Sequence, residues 1–377
     1  MISPPPAPTT PSSEPTGGNP AASGPAASGS SAGRDLVLDN ARAILIVLVV
    51  LGHLLSQVPG PYAKVLSVWI YSFHMPAFVF VTGYLARSYR GAPHQVARIV
   101  SGLLVPYVIF QTVHALIRFV TVDGDFPVQY LKPTWTLWFL LALAMWRLVT
   151  PVLQILRWPL LTAILLAVLM PLMDNLNQTM TIARFFSFLP FFVAGMIVKP
   201  HHLALLRARP ARWLGAAVLV AGLAAVVLLR DDLRKGLFTL DLSYDAMGLS
   251  PAGGIAVRVL VLVTGAVGTV AVLALAPATR QWWTYVGQQT MYVYLLHAVL
   301  INCVRHLDWP DFWGTAPFVG VVLPLIAVAM TLLLASAPVV AATRWLVEPP
   351  LVHMLVDPDR ALAERQDKSA RRRSGSR

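Results

Sequence analysis

The chain has 377 residues, of which 56% are hydrophobic and 12% charged, about half the charged share of an ordinary soluble protein. With 11 Trp, 15 Phe and a mean hydropathy of +0.66, this excludes a soluble globular enzyme and a disordered scaffold. The net charge of +12 raises the question of nucleic acid, which the placement of the charges answers below. Cys303 is the single cysteine, so neither an intrachain disulfide nor a thiolate metal cage can form.

Residues 1–33 contain 26 Pro, Ser, Gly or Ala and one charge, Glu14, a composition that cannot offset its ordering entropy and predicts disorder. The opening lacks the basic start of a secretory signal peptide, so the first apolar run is expected to be an uncleaved span. Apolar runs follow over 36–56, 65–86, 99–118, 134–150, 158–173, 183–198, 213–229, 254–276, 284–304 and 315–341. Each can cross a hydrocarbon layer of about 30 Å as a helix. They predict an all-α integral membrane protein with about ten transmembrane helices, multi-pass in the cell membrane. The last run is long enough to tilt, or to break at Pro324 or Pro338.

If the N-terminus is cytoplasmic, Lys and Arg favour that side by more than two to one, which predicts that both termini are cytoplasmic. The segment 357–377 is then a basic cytoplasmic tail, whose stretch from Arg365 to Arg377 carries six positive charges against Asp367 alone. Attraction to anionic headgroups explains such a tail without a nucleic-acid partner. Between the two tails, 34–356 forms the membrane domain.

Ionisable side chains inside spans are costly and are functional candidates. They comprise Asp39, Arg42 and His53 in the first span, His74 in the second, His114 and Arg118 in the third and His297 in the ninth. Arg42 and His53 are 11 residues apart, which places them on nearly one helix face and about 16 Å apart along the axis. Asp39 lies about one turn before Arg42. In Tyr71-Ser72-Phe73-His74-Met75-Pro76, Pro76 is expected to kink the helix and free the Ser72 carbonyl near His74. A hairpin about Pro59-Gly60-Pro61 puts His74 about two turns deeper than His53.

Trp135 and Trp138, like Trp282 and Trp283, fit interfacial aromatic belts. His297 fits either packing or a polar cavity. Glu348 lies four residues after Arg344, the spacing of an exposed helical ion pair. His201-His202 lies in a basic loop. No zinc-ligand cluster, phosphate loop or nucleophile elbow is present in the sequence, and no bound metal or cofactor is expected.

The run from Leu38-Asp39-Asn40-Ala41-Arg42 to Leu51-Gly52-His53 resembles the opening helix of the acyltransferase family 3 membrane proteins. That family carries an arginine and a histidine separated by ten residues in its first span. Phe73-His74-Met75-Pro76 with Thr82-Gly83-Tyr84, Trp138-Phe139-Leu140, Phe188 to Gly195, Met291 to His297 and Glu348-Pro349 extend the resemblance. It covers about 34–356, and the Asn40-Ala41 variant with Phe-His-Met-Pro looks most like the fucose 4-O-acetylase-like branch.

The resemblance implies a membrane O-acyltransferase that takes an acyl group, usually acetyl, from cytoplasmic acyl-CoA. The acceptor is a hydroxyl of a carbohydrate, glycolipid or glycosylated metabolite, and Arg42 and His53 are the essential pair. A neutral imidazole at His53 suits a general base. Arg42 suits the CoA phosphates or the thioester oxygen, with Asp39 to orient it. His74, Tyr84, Trp138, Tyr294 and His297 are expected at the acceptor or its cavity, and Glu348 in a terminal motif. The rival is a multi-span transporter for a small polar or glycan-related solute, against which stand the absence of a mid-span carboxylate and of an evident repeat. A non-catalytic scaffold leaves the shared face of Arg42 and His53 unexplained.

Overall fold

The computed structural model describes residues 36–121, 128–173, 179–305 and 311–350. The expected tails at 1–33 and 357–377 lie outside the described residues. The regular structure of the described part is helical, with no strand among the described residues. It starts with α1 (Leu36–Leu55), α2 (Pro61–Tyr71), α3 (His74–Ala86), α4 (Pro93–Ile99) and α5 (Val105–Thr121). Next come α6 (Trp138–Ile155), α7 (Pro159–Leu169), α8 (Ile182–Ile197), α9 (Pro200–Leu205) and α10 (Arg209–Leu228). The remaining helices are α11 (Gly236–Thr239), α12 (Pro251–Leu275), α13 (Thr284–Gln288), α14 (Thr290–Val304), α15 (Leu323–Leu334) and α16 (Ala337–Val347).

Prolines punctuate this series. α2, α4, α7, α9, α10, α12 and α16 each carry one in the first turn, where the missing N–H costs nothing and the fixed φ favours the helix. Two prolines act differently. Val100–Leu104 and Phe318–Val322 are π-turns, and each ends two residues before a proline, Pro106 or Pro324. A proline ring crowds the preceding turn and leaves a carbonyl unpaired, which widens the turn. Pro324 is therefore absorbed by a π-turn rather than breaking its helix. The break falls at Pro338, where Phe318–Leu334 and Ala337–Val347 meet at 70°.

Among the described residues six segments are long and apolar enough to cross a membrane: Leu36–Leu55, Pro61–Ala86, Pro93–Thr121, Trp135–Ile155, Arg209–Leu228 and Pro251–Leu275. The bent pair makes a seventh if it acts as one span, and Pro159–Leu172, Ile182–Ile197 and Thr290–Val304 are shorter apolar helices. The chain is thus a multi-pass membrane protein.

α1 is the axis of the bundle and packs on α2, α3, α13, α14 and α15. α3 packs along α8. A Cβ on Gly83 would overlap the carbonyl of Phe192, and one on Gly195 would overlap the carbonyl of Phe80, so two glycines let the backbones touch reciprocally. Trp146, fully buried, stacks on Phe185 and Phe192 and donates its indole N–H to the Phe185 carbonyl at 3.0 Å. This aromatic layer fixes α6 against α8.

Candidate functional site

The two ends of α1 carry different chemistry. At its start, Asn40 is fully buried and donates to the carbonyls of Pro277 at 2.8 Å and Thr279 at 3.0 Å. Its Oδ1 accepts from the Thr284 hydroxyl at 2.7 Å. A Cβ on Gly287 would overlap the Asp39 carbonyl, so α13 lies directly on the α1 backbone. Above this anchor, an Arg42 guanidinium nitrogen lies 3.4 Å from Asp39 Oδ1, and Gln288 Nε2 donates to Asp39 Oδ2 at 3.4 Å. Asn40 is a structural clamp that the sequence offered only as part of a motif.

Three turns along the same face, His53 enters a cavity of about 20 Å³ lined by Val49, Met75, Phe78, Thr136, Trp138, Phe139 and Tyr294, room for about one water molecule. Its ring meets Trp135 edge-on at 4.7 Å and His297 at 5.4 Å between centroids. Tyr71 approaches at 6.4 Å. The Nδ1 of His53 is buried and has no hydrogen-bond partner among the described residues. Arg42 does not line this cavity. Two larger hollows, of about 350 and 270 Å³, are wholly apolar and offer no acid–base group.

Backbone carbonyls fix the other two imidazoles. His74 Nδ1 donates to the Ile70 carbonyl at 2.7 Å, and His297 Nδ1 to the Val293 carbonyl at 2.8 Å. A carbonyl only accepts, so in both neutral rings Nε2 carries the lone pair. For His297 that nitrogen is buried and unpartnered among the described residues. The break between α2 and α3 at Ser72–Phe73 sets the direction of His74. The carbonyl it engages is that of Ile70 rather than Ser72, and Tyr71 lies against it with ring centroids 4.8 Å apart.

Tyr294 donates its hydroxyl to the Thr136 carbonyl at 2.5 Å, which ties α14 to the short turn Trp135–Leu137. That turn begins with Trp135 at φ 45°, a region bulky side chains avoid. The strain rotates Trp135 onto His53, while Trp138 stacks on Phe188 at 5.3 Å. Both tryptophans therefore face inward at the cavity instead of forming an outward belt. The charge and hydropathy pattern carries no sign of this backbone rotation.

Tyr84 lies ten residues beyond His74 on α3, under the Arg87 guanidinium at 3.9 Å, and does not line the His53 cavity. Glu348 pairs with Arg344 at 3.7 Å on an exposed surface, as the helical spacing implies. His201 and His202 meet edge to face and are exposed. His114 is buried and bonds to Asn302 at 3.2 Å, which also accepts from Arg305 at 3.4 Å. Among the described residues no group of three or more His, Cys, Asp or Glu is placed to hold a metal ion.

Two basic residues that sequence reading used only for topology belong to this end of the site. Arg184 lies 5.0 Å over the Trp138 ring and donates to Asp241 Oδ2 at 2.5 Å. Lys235 lies 4.1 Å over the Tyr71 ring and donates to the Ser56 hydroxyl at 2.6 Å. Asp241 and Lys235 both belong to the segment between α10 and α12. Arg258 is buried in α12 and donates to Ser187 and to the Leu242 carbonyl, which holds that segment down.

The family model for the acyltransferase domain of family 3 (Acyl_transf_3) matches residues 35–338. Nodulation protein NolL of Sinorhizobium fredii is 47% identical over 62 residues, covering 14% of this chain and 16% of the relative. NolL of Mesorhizobium japonicum is 48% identical over 58 residues, with the same coverage of 14% and 16%. The similarity to these curated relatives thus spans about a sixth of their length. No solved structure matches the chain. The bundle built on α1, with an arginine and a histidine on one face, belongs to a membrane protein of the acyltransferase 3 family.

Proposed function

We propose that this acyltransferase works in the cell membrane and moves an acyl group, in the first place acetyl, from cytoplasmic acyl-CoA to a hydroxyl of a carbohydrate or glycosylated acceptor. In this reading α7, α8 and α14 also span, giving about ten crossings with both termini cytoplasmic, as the Lys/Arg bias favours. The observation that carries it is His53, an imidazole with a buried unpartnered nitrogen in a cavity lined by Trp138 and Tyr294.

His53 takes the proton of the acceptor hydroxyl as its oxygen attacks the thioester carbonyl carbon. The tetrahedral intermediate collapses with cleavage of the C–S bond, and the leaving thiolate recovers the proton from the imidazolium. The products are the ester and free CoA. Such base catalysis is worth about 10²–10⁴ in rate. Arg42, oriented by Asp39, offers planar donors to the CoA phosphates. The roughly 16 Å between Arg42 and His53 along α1 is left for the extended thioester arm. Tyr294, Trp138, His74 and His297 shape the acceptor side of the cavity.

The test uses purified protein in nanodiscs with radiolabelled acetyl-CoA, comparing wild type, His53→Ala and Arg42→Ala for CoA release and for label transferred to a host glycan extract. Transfer by wild type and its loss in folded His53→Ala is the expected result. Undiminished transfer by His53→Ala removes the base assignment, and absence of CoA binding or turnover by folded wild type removes acyl-CoA as donor.

A further inference from the structure

Lys235 is a half-buried ammonium with no carboxylate partner among the described residues. Arg184, by contrast, pairs with Asp241. Lys235 instead donates to Ser56, whose own hydroxyl proton goes to the Gly52 carbonyl at 2.8 Å. Ser56 follows His53 by three residues, about 4.5 Å along the helix. The ammonium therefore sits roughly one turn beyond the His53 ring, on the side from which Tyr71 touches both groups.

Burial pulls the Lys235 ammonium down to about 8, so the site disfavours the charge it holds. Water and protein supply less than full solvation there, and an anion delivered by a ligand would restore the balance. Of its three N–H donors, one serves Ser56 and the Tyr71 face takes the cation–π contact. At least one donor remains for a ligand.

The geometry points to Lys235 as a subsite for an oxyanion, phosphate or carboxylate, carried by the acceptor on the sugar that presents its hydroxyl to His53 or on the adjoining one. This rests on the acyl-transfer reading above and narrows its acceptor to an anionic carbohydrate.

The test is calorimetric titration of the full chain in zwitterionic nanodiscs with inorganic phosphate, glucose 1-phosphate, glucuronate and methyl glucoside. The variants are Lys235→Gln, Lys235→Arg and His53→Ala. Saturable binding of an anionic sugar by wild type is expected, weakened at least tenfold in Lys235→Gln and retained in Lys235→Arg, with methyl glucoside silent. His53→Ala is expected to bind the same anion while losing transfer, which separates failure of the subsite from failure of the catalytic reading. Equal binding by Lys235→Gln, or no saturable binding of any anion by folded wild type, overturns the proposal. Lys235-dependent binding that is displaced in nanodiscs containing anionic lipid gives the subsite to a headgroup and overturns its assignment to the acceptor.

Discussion

The imidazoles of His53 and His297 lie 5.4 Å apart between centroids and are held in opposite ways: His297 Nδ1 is tied to the Val293 carbonyl, while His53 Nδ1 has no partner among the described residues. The tie leaves the His297 Nε2 lone pair buried beside His53. A base that works through one ring nitrogen needs an acceptor for the N–H on the other, the role a carboxylate plays in a hydrolase triad. No carboxylate lines this cavity, and among the described residues the His297 ring is the acid–base group beside His53 with an unpartnered acceptor nitrogen.

His297 is therefore expected to fix the tautomer of His53. His297→Phe should lower kcat about 100-fold, within the range of base catalysis, with KM for acyl-CoA little changed. His297→Gln, which restores an acceptor oxygen, should recover part of the loss. Steady-state kinetics in nanodiscs decide it, and a change confined to KM counts against the role.

The α3–α8 contact gives a prediction about stability. Gly83 and Gly195 each face a backbone carbonyl of the other helix with no space for a Cβ, and a carbonyl cannot move aside as a side chain can. Overpacking costs about 1–3 kcal/mol where side chains yield, so Gly83→Val or Gly195→Val should cost about 3 kcal/mol or more. The measurement is midpoint temperature in detergent against Gly102→Val, where a Cβ meets nothing within 4 Å.

Much of this architecture is legible from the sequence because it depends on apolar run length. α1 was expected at 36–56 and occupies Leu36–Leu55; α14 ends at Val304, where its run ends. The shared face of Arg42 and His53 follows from helix periodicity alone. What periodicity does not carry is backbone departure from the helix. The positive φ at Trp135 and the break at Ser72–Phe73 decide which side chains meet His53, and the π-turn absorbs Pro324. Arg184 and Lys235 were hidden for another reason. A cation at the end of a span reads as a topology signal whether it snorkels to water or folds inward over an aromatic ring.

The Arg184–Asp241 pair is a case where removing one partner should harm more than removing both. Its side chains are 20% and 12% exposed, and Thr239 also donates to Asp241 at 2.7 Å. Asp241→Ala strands a guanidinium over Trp138, and breaking a buried pair in this way costs about 3–5 kcal/mol. Arg184→Met with Asp241→Leu should recover much of that stability. Thermal unfolding of the two single variants and the double variant closes the cycle, and additive losses would show that the pair is not coupled.

Lys235 supplies the pH dependence. Its ammonium is lowered from the ordinary 10.5 to about 8 because burial disfavours the charge. Between about pH 8 and 10.5 the unfolded chain holds this proton and the folded one releases it, so the contribution of Lys235 to stability rises with pH across that window and is least favourable below it. Anion binding runs the other way: it should be present below about pH 8 and fade above it, as the charge that attracts the ligand is lost. Lys235→Arg, whose guanidinium stays charged, should bind glucose 1-phosphate without a fall between pH 7 and 9.5. Titration of both proteins across that range is the check, and parallel curves would place the titrating group elsewhere.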